Sequence, residues 1–164
     1  MREEGKSVSK NYRALVHVAL RAKCYNTMYD FYVNKLGGKE IFHLNHDCLP
    51  GGEGDESIWL TYICFGDGQY IEMFTDKYEG GNEVGGTSFR SLCLEVGHMV
   101  LALKNLESMG IPIYDAPGGN PVYPPFSAIE PSDSGALSAY IQDPEGNWIE
   151  LLQCLPNSMQ VVCV

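Results

Sequence analysis

Two acidic side chains lie in segments whose other residues are mostly apolar. Glu150 belongs to "GNWIELLQ" (146–153) and Glu72 to "GQYIEMF" (68–74), and both segments have the composition of buried strands. Because strand side chains alternate between faces, each carboxylate shares a face with apolar neighbours. An unpaired buried ion is destabilised by several kcal/mol. Each Glu therefore needs a partner, and a bound cation would supply one.

These two segments are copies of one pattern. Glu72 and Glu150 are separated by 78 positions, and the residues beside them match in type. Each copy follows a turn sequence, "FGDG" at 65–68 and "QDPEG" at 142–146. Asp and Gly favour a tight reversal between two strands. Each half of the chain is therefore predicted to end in a β-hairpin.

The beginnings of the two halves also match. The segments "LVHVALR" (15–21) and "FRSLCLE" (89–95) both alternate like strands, and His17 aligns with Ser91 at an offset of 74. A helix is predicted after each strand, over 25–36 and 100–109, because apolar residues recur there at helical spacing before a glycine. The other predicted strands are 39–46 and 57–65 in the first half, and 111–114 and 137–142 in the second.

The order of elements in each half is thus βαβββ. The Gly-rich segment between the halves reads as a linker, and the Pro/Gly-rich segment 115–136 as a long irregular loop. The predicted organisation is a flexible tail at 1–11, a first βαβββ module at 12–75, a linker at 76–88, a second βαβββ module at 89–153 and a C-terminal tail at 154–164.

Composition excludes several classes of function. With 45% apolar and 20% charged residues, the 164-residue chain has the make-up of an ordinary globular protein. Its net charge of -10 argues against nucleic acid or an anionic membrane as partner. The polar N-terminal sequence lacks the apolar core of a signal peptide, and the six cysteines form no CxxC pair. We therefore expect a cytoplasmic protein with free thiols.

Two βαβββ halves, each with Glu on its last strand and with His or Ser on its first, resemble the vicinal oxygen chelate superfamily, which includes glyoxalase I and the bleomycin resistance proteins. The resemblance covers residues 12 to 153 and is carried by the ordered set "HVALRA", "YDFYVNKLGG", "YIEMF", "SLCLEV" and "DPEGNWIELLQ". It implies an α+β fold in which two fused βαβββ modules form paired curled sheets around a central cavity.

The resemblance also implies a metal site with ligands from the first and last strands of both halves. These positions are His17, Glu72, Ser91 and Glu150. An imidazole and two carboxylates suit one divalent transition metal, namely Ni, Co, Mn or Zn. The Ser91 hydroxyl is a poor ligand. Either a water completes the shell at Ser91, or Cys93 substitutes for it, or the site binds metal weakly or not at all.

The pair Glu72 and Glu150 is most similar to glyoxalase I. That resemblance implies a lyase or isomerase that moves a proton between adjacent carbons of an α-hydroxycarbonyl or thiohemiacetal substrate, with Glu150 as the general base. An extradiol dioxygenase would need a second His where this chain has Ser91. Two alternatives remain: an isomerase or epimerase of sugars or other carbonyl compounds, and a non-catalytic, antibiotic-sequestering type of binding protein.

A few further residues are candidates for binding the small-molecule substrate. The resemblance places Arg21 at a carboxylate-binding position, whereas Asp76 stands where an amide is usual, so glutathione should be a poor substrate. Tyr123 and Phe126 lie in the long loop. Either these two residues close over a ligand, or the loop is a rigid surface meander held by its prolines. Because open sheets leave edges and apolar faces to cover, we also expect a homodimer.

Overall fold

The structure is a computed structural model that describes residues 16–66, 68–75, 91–132 and 134–162. The chain divides into two compact units, one containing the described residues up to 75 and the other those from 91 onwards. Each unit has one open sheet and few helices, which confirms the expected α+β class. Among the described residues, no helix is long and apolar enough to cross a membrane.

The first unit is a four-stranded sheet with one helix. Strand β1 pairs in parallel with β4, and β4, β3 and β2 follow in antiparallel order, so β2 forms an edge. The helix begins at Tyr25 and takes π-helical geometry after its first turn. The elements are β1 (His17–Ala22), α1 (Tyr25–Tyr29, continued by the π-helical Asp30–Lys35), β2 (Lys39–Asn45), β3 (Ile58–Gly66) and β4 (Gln69–Thr75).

One face of this sheet is covered by the helix. The hydroxyl of Tyr25 on α1 is 2.6 Å from Oγ1 of Thr61 on β3, and Thr61 is fully buried. Since side chains alternate along a strand, Tyr62 and its cross-strand partner Glu72 lie on the opposite face. His17, which the sheet register places beside Tyr70, shares that face. We call this surface the helix-free face of the first unit.

The second unit repeats this plan with a smaller sheet, in the order β5-β7-β6. The predicted strand at 111–114 contributes only isolated bridges from Tyr114 to Tyr140 and to Pro121. Pro112 has no N–H to donate, and the N–H of Ile111 is bonded to the carbonyl of Leu106. The elements are β5 (Leu92–Glu95), α2 (Met99–Ser108), a 3₁₀ turn (Phe126–Ala128), β6 (Leu137–Gln142), β7 (Trp148–Gln153) and α3 (Met159–Val162).

The two parallel strand pairs have the same register. Val18 lies opposite Ile71 in the first unit, and Leu92 lies opposite Ile149 in the second. Val18 and Leu92 are 74 positions apart, and Ile71 and Ile149 are 78 positions apart. These are the offsets at which the two halves of the sequence match. The internal repeat therefore holds residue by residue at the strands that carry the predicted ligands. The predicted tail 1–11 and linker 76–88 lie outside the described residues.

The turn before β7 depends on one carboxylate. Asp143 is 4% exposed, and its Oδ1 accepts hydrogen bonds of 2.9 Å from the backbone N–H groups of Glu145 and Asn147. Its Oδ2 accepts a third, of 2.8 Å, from the Asn147 amide. Asp143 thus stabilises the tight turn that the sequence "QDPEG" predicts.

Replacing Asp143 with alanine should lower the free energy of unfolding by about 2 kcal/mol, because three donors lose a charged acceptor. Urea denaturation of the two proteins measures the loss. The control is Asp143→Asn, which keeps one acceptor oxygen and should be less destabilised. If the alanine variant is as stable as the wild type, the carboxylate does not hold the turn.

Candidate functional site

The first unit brings two of the predicted ligands together. His17 Nε2 lies 3.4 Å from Glu72 Oε2 on the helix-free face, with 38% and 15% of the two side chains exposed. The parallel pairing of β1 and β4 causes this approach, because it sets His17 beside Tyr70, two residues before Glu72. A histidine and a carboxylate at this separation form an ion pair when the imidazole is protonated.

A tyrosine completes this cluster. The Tyr62 hydroxyl oxygen lies 3.3 Å from His17 Nδ1, and the two rings meet edge to face with centroids 5.7 Å apart. Desolvation and the neighbouring Glu72 carboxylate raise the pKa of Tyr62, so its hydroxyl stays protonated. Sequence reasoning missed Tyr62. The hairpin turn at 65–68 could have placed it opposite Glu72.

Aromatic rings extend the cluster along the same face. Phe42 on the edge strand β2 stacks on Tyr62, with ring centroids 4.6 Å apart and planes inclined by 20°. Tyr70 lies on the other side of Tyr62, at 6.0 Å. Phe42 is 44% exposed in this arrangement. The helix-free face therefore offers an apolar surface next to the polar pair His17 and Glu72.

In the second unit, Cys93 rather than Ser91 lies directly beside Glu150. Cys93 and Tyr140 are the cross-strand partners of Glu150, whereas Ser91 is half-buried and precedes β5 by one residue. Although part of the Cys93 side chain is exposed, the burial of its thiol and the nearby Glu150 raise the pKa of Cys93 to about 11. A protonated thiol is a poor metal ligand. These surroundings do not favour Cys93 as a substitute for histidine.

The donor atoms of the first unit suit a metal ion. Two ligand atoms that are each about 2.1 Å from one ion are roughly 3.0–3.4 Å apart, and His17 Nε2 and Glu72 Oε2 are separated by 3.4 Å. Across the described ranges, no three His, Cys, Asp or Glu side chains form a metal-binding group. The structure thus shows the predicted ligands as a pair in one unit and as the single carboxylate Glu150 in the other.

The predicted substrate contacts fall in different places. Arg21 is exposed at the end of β1, and Asp76 lies outside the described residues. Phe126 is 2% exposed and Tyr123 is 74% exposed. Both line a cavity of about 350 Å³ beside the C-terminal end of α2, and Glu150 is not among the residues that line it. The structure brings Tyr123 and Phe126 together, but not next to the predicted base.

Comparison with known sequences extends these observations. The family model described as the Glyoxalase/Bleomycin resistance protein/Dioxygenase superfamily matches residues 14–151. No curated protein sequence matches the chain significantly. The family match covers most of both units and includes the predicted ligand positions.

Solved structures share the fold. A glyoxalase family protein from Enterococcus faecalis superposes with a TM-score of 0.60 at 22% identity, covering 87% of this chain and 98% of that one. A superfamily member from Sphaerobacter thermophilus gives a TM-score of 0.60 at 20% identity, with coverages of 88% and 99%. TioX from a Micromonospora species gives 0.59 at 14% identity, with coverages of 87% and 100%. At these identities, the likeness concerns the fold alone.

Proposed function

The chain belongs to the glyoxalase/bleomycin resistance protein/dioxygenase superfamily, and from this membership we propose that it is a metal-dependent lyase or isomerase. Its reaction would move a proton between adjacent carbons of an α-hydroxycarbonyl or thiohemiacetal substrate. Members of this superfamily commonly bind a divalent metal. The observation that carries the proposal is the His17–Glu72 pair, whose donor atoms have the separation expected of two ligands.

In this proposal His17, Glu72 and Glu150 are the protein ligands of one ion: Ni, Co, Mn or Zn. A bound divalent ion acts as a Lewis acid toward substrate oxygens. Glu150 occupies in the second unit the position that Glu72 occupies in the first, and this equivalence supports its inclusion. As general base, the Glu150 carboxylate would have to leave the ion when substrate binds, and it would then take the proton from one carbon and return it to the next.

The neighbours of Glu150 suit that task. The Cys93 thiol beside Glu150 remains neutral, because burial and the nearby carboxylate raise its pKa to about 11. It therefore adds no second negative charge beside the base. On the helix-free face of the first unit, Phe42 and Tyr62 would contact an apolar group of the substrate. Arg21, Tyr123 and Phe126 remain candidate substrate contacts.

Metal titration tests the proposal. Calorimetry with nickel or cobalt should show one ion per chain, and Glu72→Gln should weaken binding about tenfold or more because an anionic ligand is lost. Glu95→Gln is the matched control. It removes the same charge from an exposed residue outside the predicted set, and its affinity should equal that of the wild type. Equal affinities of the two variants, or no binding of nickel, cobalt, manganese or zinc by the wild type, would refute the metal site.

A second candidate function is non-catalytic binding of a small molecule. It is favoured by the fourth ligand position, where Ser91 offers only a hydroxyl and the adjacent thiol of Cys93 is protonated. The two functions differ in one measurement. An enzyme of the proposed type exchanges the transferred substrate hydrogen with deuterated water, which proton NMR detects, whereas a binding protein shifts ligand signals without exchange.

We also propose that two copies associate. The edge strand β2 exposes the large apolar side chains of Ile41 and Leu44, which a partner would cover.

A further inference from the structure

The second unit contains a cavity that lies apart from the predicted base. Its volume is about 350 Å³, which is at the small end of the range for small-molecule sites, and Glu150 does not line it. The lining is mostly apolar. It includes the buried side chains of Ile111, Ile113 and Phe126 and the exposed ring of Tyr123. A compact apolar group would therefore be removed from water in this cavity.

The walls of the cavity are held in place by the backbone. The lining comes from two segments, 110–113 and 121–126, together with the last turn of α2. The two segments are joined by a hydrogen bond of 2.8 Å from the N–H of Val122 to the carbonyl of Ile113. Both segments contain proline, whose ring fixes φ. The cavity is therefore formed before any ligand enters it.

One end of the cavity carries negative charge. Among the described residues that line it, Glu107 alone is formally charged. Glu107 lies in the last turn of α2, which ends at Ser108, and the helix dipole adds partial negative charge there. Lys104, one turn earlier on α2, forms no salt bridge with Glu107, nor does any other residue in the described part of the chain. This end of the cavity therefore favours a cation over an anion.

We propose that this cavity binds an organic ammonium ion that carries a compact apolar group. The apolar group packs against Ile111, Ile113 and Phe126, and the ammonium group lies near Glu107. Tyr123 adds a second attraction, because the face of an aromatic ring attracts a cation within about 6 Å of its centre. The inference does not rest on the proposed function, since none of the predicted metal ligands is among the described residues that line the cavity.

Titration of the full chain with benzylammonium, followed by the backbone amide signals in NMR, tests the proposal. Benzyl alcohol and benzoate are matched probes, because they present the same ring with a neutral group and with an anion. Benzylammonium should shift the amide signals of 107–113 and 121–126 with a Kd of about 1 mM, as expected for a ligand of this size. Benzyl alcohol should bind about tenfold more weakly. Benzoate should leave these signals unchanged.

Substitutions separate the cavity from the general attraction of a chain with net charge -10 for cations. Glu107→Gln should weaken the binding of benzylammonium about threefold and leave that of benzyl alcohol unchanged. Glu95→Gln is the control, because it removes the same charge from an exposed residue of the same unit that does not line the cavity. Its affinity should equal that of the wild type. Tyr123→Leu keeps an apolar side chain without the ring and should weaken benzylammonium about threefold.

Three results would overturn the inference. The first is a set of shifts confined to other residues, such as those around Phe42 and Tyr62 on the helix-free face of the first unit. The second is equal affinity of Glu107→Gln and Glu95→Gln for benzylammonium. The third is binding of benzyl alcohol as tight as that of benzylammonium. The titration is made without added metal, so its outcome is independent of whether the chain binds nickel, cobalt, manganese or zinc.

Discussion

Replacing Ser91 with histidine should raise the affinity of the protein for nickel or zinc about 100-fold. The identical register of the two parallel strand pairs makes Ser91 the counterpart of His17. A neutral imidazole is a much stronger donor than a hydroxyl, and an added ligand worth about 2.7 kcal/mol corresponds to that factor. Calorimetric titration of both proteins with the two metals gives the affinities.

Thermal unfolding gives a second measurement of the same effect. A metal that binds only the folded chain stabilises it in proportion to the logarithm of its affinity, so the gain in Tm with metal should be larger for Ser91→His than for wild type. Ser108→His is the control, because Ser108 is exposed on α2 and outside the repeat-related positions. Equal metal affinities of Ser91→His and wild type would mean that residue 91 does not face the ligands.

The second large effect concerns stability. Gly38→Ala should lower the free energy of unfolding by about 3 kcal/mol, because the new methyl group has no room. A Cβ at Gly38 would lie 2.6 Å from Ile63 Cγ2, 2.8 Å from Phe65 Cζ and 2.8 Å from the Tyr32 carbonyl oxygen. Ile63 is fully buried and the carbonyl belongs to the backbone, so neither group can move away without loss of stability. Urea denaturation measures the loss.

Gly97→Ala serves as the control for this substitution. Nothing lies within 4 Å of a Cβ at Gly97, and its φ is not in the left-handed region. Its stability should stay within about 0.5 kcal/mol of the wild type. If Gly38→Ala is as stable as Gly97→Ala, the junction between the helix and β2 is more adaptable than the packing indicates.

Much of the fold can be predicted from the sequence, because the patterns that indicate strands and helices are local. Residues of different polarity alternate along the strands with a period of two. Both helices end just before a glycine with positive φ, which is 77° at Gly37 and 72° at Gly110. The π-helical turns at Asp30–Lys35 were not predictable, since the pattern there is that of an ordinary helix. The strand expected at 111–114 is reduced to two isolated bridges at Tyr114, because Pro112 removes a donor.

Part of the site was predictable, because that part follows from the register of the paired strands. The repeat in the sequence identifies His17 and Glu72, and the parallel pairing brings them together. Tyr62 was missed because only its cross-strand position, not its sequence neighbours, gives it a role. The protonation state of Cys93 could not be predicted either. The pKa of its thiol depends on burial and on the carboxylate of Glu150, which is 57 positions away in the chain.

The pairing of β1 with β4 also bears on how the first unit folds. His17 and Glu72 are 55 positions apart and come from the first and last strands of the unit, so their contact closes a loop that contains every other element. Such non-local contacts are entropically costly and tend to form slowly. We therefore expect the pair to form only after the intervening strands have assembled. A spectroscopic probe at His17 would report completion of folding rather than its first steps.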